Sequence, residues 1–323
     1  MKSLDNYWYN INLISLLLWP LSLLFRLLVM TRRMFYQTGL FKSYKMNKPV
    51  IVIGNISVGG TGKTPLIIEL CHLLDSWGIK AGIISRGYGG TGPWPHQLTD
   101  ESSAEESGDE PVQIFQRTQV PVVVGSDRVA DVELLCENNN IDLVLTDDGL
   151  QHYRLQRDLE LVVIDHQRQF GNGFSLPAGP LREPVSRLKE SSWCVFNGGD
   201  SDYSFKIEPS FVKQLSSDRK ESVKYFKGSF VHAVAGIGNP DRFFTMLREL
   251  GFNIIEHAYP DHYQFSENDL KFNDSLPILM TEKDSVKCGG FTNKKLWYVA
   301  IDIKLSDQFL IDFKKQVKEL THG

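Results

Sequence analysis

The chain has few cysteines and no excess of basic charge. Cys71, Cys136, Cys194 and Cys288 lie far apart and form no C-x-x-C pair, which excludes a cysteine zinc site or disulfide framework and fits a reducing compartment. The formal net charge of −4 argues against a nucleic-acid partner. The 323 residues are enough for about two domains of ~150 residues, each with a buried core.

The amino-terminal segment is basic and apolar. Residues 1–50 contain seven Lys or Arg and one Asp, and 15 of the residues 11–30 are apolar. This pattern predicts a membrane anchor helix over residues 1–35, either spanning the bilayer or lying in its interface. Arg32 and Arg33 follow the apolar run and favour a cytoplasmic position for the rest of the chain. Pro20 interrupts the run, so a buried helix of a soluble protein remains an alternative.

Residues 49–74 have the pattern of a phosphate-binding loop. A β-branched apolar run precedes a glycine-rich stretch, and apolar residues at helical spacing follow, which predicts strand, loop and helix. Backbone N–H groups of such a loop point inward, and the helix adds the positive end of its dipole. The predicted nucleotide-binding residues are Ser57, Val58, Gly59, Gly60, Thr61, Gly62, Lys63 and Thr64. Lys63 is expected to reach the β- and γ-phosphates, and Thr64 to hold Mg²⁺.

Polar residues follow two further predicted strands. Asp147 and Asp148 come after the apolar run 141–145, and carboxylates in this position are typical of the partners that fix Mg²⁺ near a phosphate loop. Arg86 and Tyr88 lie among glycines after another apolar run. Such a stretch indicates either a loop that approaches a ligand closely or a tight turn.

Two charged pairs allow alternative interpretations. Asp109 and Glu110 precede a proline, so Asp109 is either the cap of a helix over 112–117 or a catalytic base. Arg182 lies in a segment rich in Gly and Pro, where it either clamps a phosphate or forms a surface ion pair with Glu183.

Strand and helix patterns alternate along both halves of the chain. This order predicts an α/β fold with a P-loop NTPase-like, doubly wound, mainly parallel sheet, a second, smaller α/β domain and an N-terminal membrane-anchoring helix. We expect a P-loop domain over 36–200, a linker or small β connection over 201–229, and a smaller domain over 230–323 that closes over the active-site cleft. The polar residues 91–108 indicate a surface loop.

Together these motifs resemble the tetraacyldisaccharide 4′-kinase family, which phosphorylates a lipid A precursor at the inner membrane of Gram-negative bacteria. The ordered set is GNISVGGTGKTP, RGYGG, GDEP, DDGLQH, LPAGPLREP, GIGNP, DHY and TEKD, between residues 54 and 284. Ser57 stands where the strict phosphate-loop pattern has glycine, and the family's own loop differs from that pattern at the same place.

The resemblance implies ATP·Mg²⁺ as the phosphoryl donor and a tetraacylated glucosamine disaccharide 1-phosphate as the acceptor. The implied catalytic residues are Asp109, His262 and Lys63, and the implied metal ligands are Thr64, Asp147 and Asp148. Asp109 is expected to act as general base on the sugar hydroxyl, with His262 of the second domain supporting it. The candidate substrate-binding residues are Arg86, Tyr88, Glu110, Gln151, His152, Arg182 and Glu183.

We expect a monomer at the cytoplasmic face of the inner membrane of a Gram-negative bacterium, in contact with the lipid surface and with no nucleic-acid partner. Two other classes stay open. A membrane-associated P-loop GTPase or regulatory protein requires an N-K-x-D guanine reader, whereas TEKD at 281–284 has its Lys one place late. A non-enzymatic nucleotide-binding scaffold has no use for an acid and a His in one cleft.

Overall fold

The structure is a computed structural model that describes residues 7–322. Residues 1–6 of the predicted anchor, with Lys2 and Asp5 of its charge count, lie outside the described part, as does residue 323. The helices are α1 (Leu13–Gln37), α2 (Lys63–Ser76), α3 (Ala104–Ser107), α4 (Asp109–Thr118), α5 (Arg128–Asn138), α6 (Pro240–Glu249), α7 (Glu282–Ser285) and α8 (Asp307–His322). Two 3₁₀ segments cover Val185–Glu190 and Val286–Cys288.

The strands form one mostly parallel sheet. They are β1 (Val50–Gly54), β2 (Ala81–Ser85), β3 (His96–Gln97), β4 (Val122–Val124), β5 (Leu143–Asp147), β6 (Leu159–Asp165), β7 (Trp193–Asn197), β8 (Ser204–Gln214), β9 (Lys220–Ser222), β10 (Phe230–Ala235), β11 (Asn253–Ala258), β12 (Ile278–Thr281) and β13 (Leu296–Leu305). The order is β11-β10-β12-β13-β8-β7-β6-β1-β5-β2-β4-β3, and β9 pairs with β8. This arrangement confirms the predicted mainly parallel α/β sheet.

The strand that leads into the phosphate loop lies at the centre of one half of this sheet. All five residues of β1 are buried, between β5 and β6. Because successive side chains point to opposite faces, Ile51 and Ile53 pack with α2 and α8, while Val50 and Val52 pack on the face that holds α5. Burial on both faces explains why the strand reads as a continuous apolar run.

Two connecting segments contain more structure than the sequence indicates. Residues 91–108 were expected to form a surface loop, but this prediction is wrong because they include the edge strand β3 and the short helix α3. Residues 201–229 contain β8, which pairs in parallel with β7 and in antiparallel with β13. The sheet therefore continues across the predicted boundary at residue 200, and the division into domains stays a prediction.

Helix α1 is long and apolar enough to cross a membrane, and 11% of its most apolar stretch is buried. Asn12 and Ser15 form a capping box at its start. The body of the protein contacts the helix through Ser22, whose Oγ accepts a hydrogen bond from the backbone N–H of Ala178 at 3.0 Å. Its exposed apolar residues include Leu13, Leu16, Leu17, Trp19, Leu21, Leu24, Leu27, Leu28 and Met30.

Candidate active site

The glycine-rich loop after β1 has the backbone shape of a phosphate cradle. Gly59 and Gly62 have φ angles of 109° and 94°, values that favour glycine. Gly62 caps the start of α2, so the N–H groups of the first helical turn face the loop. A Cβ atom at Gly62 would lie 2.6 Å from Asn197 Nδ2, and this same amide donates to the Thr61 carbonyl at 3.0 Å. Glycine is therefore required at this position by both backbone angle and space.

The Gly- and Pro-rich segment 170–184 contacts the first residues of the loop. The backbone N–H of Val58 donates to the carbonyl of Pro180 at 2.8 Å, and Ser57 forms an isolated antiparallel bridge with Leu181. These contacts fix the entry to the cradle, while Gly59 and Gly60 stay exposed. An exposed backbone held in one conformation is what anion binding by N–H groups requires.

Lys63 and Arg182 converge on Asp148. The Lys63 Nζ atom lies 3.5 Å from Asp148 Oδ1, and Arg182 Nη1 donates to Asp148 Oδ2 at 2.8 Å. Burial opposes ionisation of Asp148, but the charges of Lys63 and Arg182 outweigh it and lower its pKa to about 2. The alternative of an Arg182–Glu183 surface pair is wrong, because Arg182 pairs with Asp148 in this cleft.

Asp147 lies beside this cluster and is less well paired. Asp147 is 2% exposed; Oδ2 accepts a hydrogen bond from Ser85 Oγ at 3.1 Å, and Oδ1 has no hydrogen-bond partner among residues 7–322. Burial and the nearby charge of Glu110 raise the pKa of Asp147 to about 7, against the opposing pull of Lys63. Arg128 Nη2 donates a hydrogen bond to the backbone carbonyl of Asp147 at 3.4 Å.

Asp109 and His262 form a hydrogen bond between the two halves of the chain. His262 Nδ1 donates to Asp109 Oδ2 at 2.9 Å, and Asp109 is 3% exposed. His262 has a φ angle of 59°, which is uncommon for a residue other than glycine and occurs often at functional sites. The ring of Tyr88 lies 5.2 Å from the His262 ring, centroid to centroid. The capping interpretation of Asp109 is wrong, since Gly108 occupies the N-cap of α4.

Two lysines near α7 complete this cluster, and sequence reasoning missed both. Lys283 Nζ donates to Glu110 Oε1 at 3.0 Å and lies 3.5 Å from His262 Nε2. Lys287 is fully buried and lies 3.9 Å from Asp109 Oδ2. The TEKD motif could have indicated both lysines. Lys283 belongs to the motif, and Lys287 lies four residues later, so the two share one face of a helix. In the structure, the Lys of this motif contacts Glu110 on the opposite side of the cleft.

The positive charges around Asp109 hold it ionised. Burial by itself raises the pKa of Asp109, but the hydrogen bond from His262 and the charges of Lys287 and Lys283 outweigh burial and hold that pKa below its usual value. The carboxylate is thus available to accept a proton at neutral pH.

Two predicted substrate-binding residues lie in a buried network. Glu183 is 1% exposed and accepts hydrogen bonds from Gln151 Nε2 at 2.8 Å and from Tyr153 OH at 2.6 Å. Gln151 also donates to the carbonyl of Asn55 at 3.2 Å, just before the phosphate loop. Glu183 therefore has no surface to offer a ligand in this structure, and its carboxylate positions Gln151 against the loop.

His152 lies among arginines. Burial and the charges of Arg128, Arg86 and Arg32 lower the pKa of His152 to about 4. Arg86 is exposed and comes from the glycine-rich stretch after β2, whereas Arg32 belongs to α1. These arginines thus surround His152 with positive charge contributed by α1, by α5 and by the stretch after β2.

The described residues thus combine a glycine-rich loop, Lys63 at the start of the following helix, the buried Asp147 beside the half-buried Asp148, and a carboxylate hydrogen-bonded to an imidazole. A model of the family described as tetraacyldisaccharide-1-P 4′-kinase matches residues 14–318. The chain belongs to the tetraacyldisaccharide 4′-kinase family. A relative from Pseudomonas putida (strain W619), named tetraacyldisaccharide 4′-kinase, is 44% identical over 98% of this chain and 96% of its own. One of the same name from Methylobacillus flagellatus is 46% identical over 94% and 92%.

A solved structure of the family is also similar. The chain matches the "apo" form of LpxK from Aquifex aeolicus, crystallised in complex with ATP, with a TM-score of 0.81 and 28% identity over 96% of this chain and 100% of the other. Family membership confirms the resemblance stated above from the ordered motifs. A kinase requires an acceptor for the phosphoryl group, so the Asp109–His262 contact lies in a protein where such an acceptor is expected.

Proposed function

We propose that the protein transfers the γ-phosphoryl group of ATP to the 4′-hydroxyl of a tetraacylated glucosamine disaccharide 1-phosphate, forming lipid IVA in lipid A biosynthesis. The observation that carries this proposal is the 2.9 Å hydrogen bond between His262 and Asp109, in the same cleft as the phosphate loop. Family membership supplies the acceptor class, and the geometry supplies a proton acceptor beside a site for phosphates.

The donor side consists of the phosphate loop and Lys63. Backbone N–H groups of residues 59–64 are the proposed ligands of the phosphate oxygens, and Lys63 neutralises charge on the β- and γ-phosphates. The Lys63 ammonium lies 3.5 Å from Asp148 Oδ1. A bound phosphate would compete with this carboxylate for the Lys63 ammonium.

The residues around Asp147 fit Mg²⁺. Asp147 Oδ1 is buried and accepts no hydrogen bond from the residues that the structure describes, and Asp148 Oδ1 has only the Lys63 ammonium near it, at 3.5 Å. The Thr64 hydroxyl would add a third hard oxygen donor. Mg²⁺ is usually held by one or two carboxylates together with phosphate oxygens, and these residues fit that pattern. Bound Mg²⁺ neutralises charge on the phosphoryl group.

The acceptor side consists of Asp109, His262 and their lysine neighbours. As the 4′-oxygen forms its bond to the γ-phosphorus and the bond from that phosphorus to the β-phosphate oxygen breaks, the hydroxyl proton passes to Asp109 and ADP leaves. His262 orients the carboxylate through Nδ1. Tyr88 and Arg86 line the entry on this side, and with His152 they are the proposed contacts to the sugar and its 1-phosphate.

Helix α1 supports an interfacial location. Its apolar residues face outward along most of its length, and Arg26, Arg32 and Arg33 add positive charge that suits anionic headgroups. We propose that the enzyme lies at the cytoplasmic face of the inner membrane of a Gram-negative bacterium, and that it is a monomer. Deletion of residues 1–33 should move the protein from the membrane fraction to the soluble fraction. A full-length protein that is wholly soluble without detergent would contradict this location.

A phosphate-transfer assay tests the activity. Purified full-length protein in detergent micelles, given ATP with a radiolabelled γ-phosphate, Mg²⁺ and the tetraacylated disaccharide 1-phosphate, should label the lipid. GTP in place of ATP and omission of the lipid are the controls. Hydrolysis of either nucleotide without labelling of the lipid would instead favour a GTPase or a regulatory protein.

A further inference from the structure

Asp284 is a fully buried carboxylate outside the proposed chemistry. It is the last residue of the TEKD motif and is 0% exposed. Its Oδ2 accepts hydrogen bonds from the backbone N–H of Gly236 at 2.9 Å and from Thr281 Oγ1 at 2.6 Å. Its Oδ1 accepts one from the Lys287 ammonium at 2.7 Å. Both oxygens are thus paired within the protein, which fits a fixed structural group and not a ligand site.

One set of contacts links Asp284 to Asp109 through Lys287. An ammonium group has three N–H donors, and Asp284 accepts one of them at 2.7 Å. The same ammonium lies 3.9 Å from Asp109 Oδ2 and 5.2 Å from the centroid of the Phe265 ring. The Lys287 side chain is fully buried, so solvent screens its charge only weakly. Lys287 therefore acts on Asp109 from a position that Asp284 fixes.

A second set of contacts links Asp284 to the turn that carries His262. The N–H of Gly236 donates to Asp284, and the carbonyl of Gly236 accepts the backbone N–H of His262 at 3.2 Å. His262 has a φ angle of 59°, a conformation that persists only when the surroundings hold it. A Cβ atom on Gly236 would lie 3.1 Å from Asp284 Oδ1 and 3.3 Å from Phe265 Cζ. The turn thus packs directly against the Asp284 carboxylate.

The two sets of contacts meet at one oxygen of Asp109. His262 Nδ1 donates to Oδ2 at 2.9 Å, and Lys287 lies 3.9 Å from the same atom. Oδ1 of Asp109 accepts no hydrogen bond from the residues that the structure describes. Lys283, a third positively charged neighbour of Asp109, donates instead to Glu110 at 3.0 Å. A carboxylate held through one oxygen presents the other in a fixed orientation.

We propose that Asp284 is a positioning residue of the phosphoryl transfer: it places Lys287 and the His262 turn so that both hold Oδ2 of Asp109, and Oδ1 accepts the hydroxyl proton. This inference rests on the proposed role of Asp109 as general base. It also explains why three separated motifs occur together, because Gly236 opens GIGNP, His262 lies in DHY and Asp284 closes TEKD.

Two double variants separate the contacts of Asp284. Lys287→Met/Asp284→Asn and Lys287→Met/Asp284→Ala both replace the buried ion pair with neutral side chains, which avoids an unpaired buried charge. They differ in one respect, since asparagine keeps an acceptor for the Gly236 N–H and alanine does not. Lys314→Met is the control, because this exposed lysine of α8 lies over the Trp77 ring at the same 5.2 Å.

Transfer by the full-length protein in detergent is measured against pH, giving kcat and the KM values for ATP and lipid. The asparagine double variant should move the acid limb of kcat about one pH unit higher, because a positive charge beside Asp109 is lost, and should keep both KM values. The alanine double variant should also lose about a further tenfold in kcat, because the His262 turn is no longer held. The control should match the wild type.

Each other outcome overturns the inference. An unshifted acid limb shows that Lys287 does not act on Asp109, and equal kcat values for the two double variants show that Asp284 does not hold the His262 turn. A lower Tm with unchanged kcat and pH profile makes these contacts structural only.

A titration of the Asp109 carboxyl by ¹³C NMR, assigned by its loss in Asp109→Asn, follows the same coupling without turnover. If the wild type labels no lipid while this titration still moves to higher pH in both double variants, the proposed reaction fails and the coupling of Lys287 to Asp109 stands. If the titration does not move, the positioning role fails even where the wild type labels lipid.

Discussion

Asp109 and Asp147 are both buried carboxylates of one cleft, yet their surroundings differ. Asp109 is within 4 Å of His262 and Lys287, and these positive or hydrogen-bonding partners hold its pKa below the usual value although burial acts in the other direction. One oxygen of Asp147 has no hydrogen-bond partner in the described part of the chain, and burial together with Glu110 raises its pKa to about 7. The partners of Asp109 lie within the protein, whereas the unpartnered oxygen of Asp147 fits the metal-binding role proposed above.

This contrast matches the two roles proposed for these residues, a general base for Asp109 and a metal ligand for Asp147. A general base must be ionised and aimed before the acceptor arrives, so its partners belong to the protein. A ligand of a metal that enters with the nucleotide must instead stay available, which costs stability in the ligand-free state. The predictions below test the two sides of this comparison, from the largest expected effect to the smallest.

Lys63→Ala should reduce turnover by about 10³–10⁵-fold, because no other residue of the loop neutralises charge that moves toward the β–γ bridge. Steady-state transfer at saturating ATP measures it, and Lys206→Ala, which removes an exposed lysine paired with Asp200, is the control. Near-normal turnover of the Lys63 variant would remove the phosphate-loop assignment.

Asp109→Ala and His262→Ala should each reduce turnover by about 10²–10⁴-fold, the range for a positioned acid–base group. In the proposed mechanism the two side chains act as one unit, so the double variant should lose little more than the worse single variant. The His232–Asp274 pair, a comparable 3.1 Å contact outside the cleft, gives a control in which the matching variants retain turnover. Fully multiplicative losses in the cleft would show that Asp109 and His262 act independently.

His262→Ala should also move the pH profile of its residual activity. The hydrogen bond from His262 lowers the pKa of Asp109, so its removal raises that pKa, and activity should disappear at a higher pH as the solution is acidified. The acid limb of kcat is measured for the wild type, for the variant and for His72→Ala, which removes a half-exposed histidine on α2. An unshifted acid limb would contradict the coupling.

Local patterns predicted the part of the site that is contiguous in sequence. The glycines, Lys63 and Thr64 follow from one strand–loop–helix order, and Asp147 follows from its place at the end of β5. A parallel sheet collects such strand ends at one edge, so their proximity needs no further information. The residues around Asp109 left a helix cap and a catalytic base as alternatives, and the family resemblance favoured the base and supplied His262. The residue numbers of Asp109 and His262 differ by 153, and no local pattern encodes their contact.

The missed residues are those whose role depends on packing between distant elements. The side chains of Lys287 and Arg128 are buried, and a sequence does not show whether a charged residue is buried or exposed. Asn197 matters because its amide contacts the Thr61 carbonyl and occupies the space beside Gly62. Glu183 was predicted to bind substrate because of its place in a motif. That place does not show that its carboxylate is enclosed by Gln151 and Tyr153.

The pH dependence of stability follows from the two pKa directions. The lowered pKa of Asp109 contributes stability above the ordinary pKa of an aspartate, and that stability is lost as the pH falls through its folded value. The raised pKa of Asp147, about 7, acts in the opposite sense, because ionising this group in the fold costs stability as the pH rises from its ordinary value toward 7. Above neutral pH the ligand-free protein therefore carries the full cost of the Asp147 charge.

Thermal unfolding above neutral pH, with and without Mg²⁺ and ATP, tests the contrast most directly. Asp147→Asn should raise the Tm of the ligand-free protein and lose most of the stabilisation that Mg²⁺ and ATP give the wild type. Asp109→Asn should lower the ligand-free Tm and keep that stabilisation, and Asp200→Asn, at a fully exposed carboxylate, should change neither. If both variants shift the ligand-free Tm in the same direction, or if Asp147→Asn responds fully to Mg²⁺ and ATP, the division between a base satisfied by the protein and a carboxylate reserved for a ligand is contradicted.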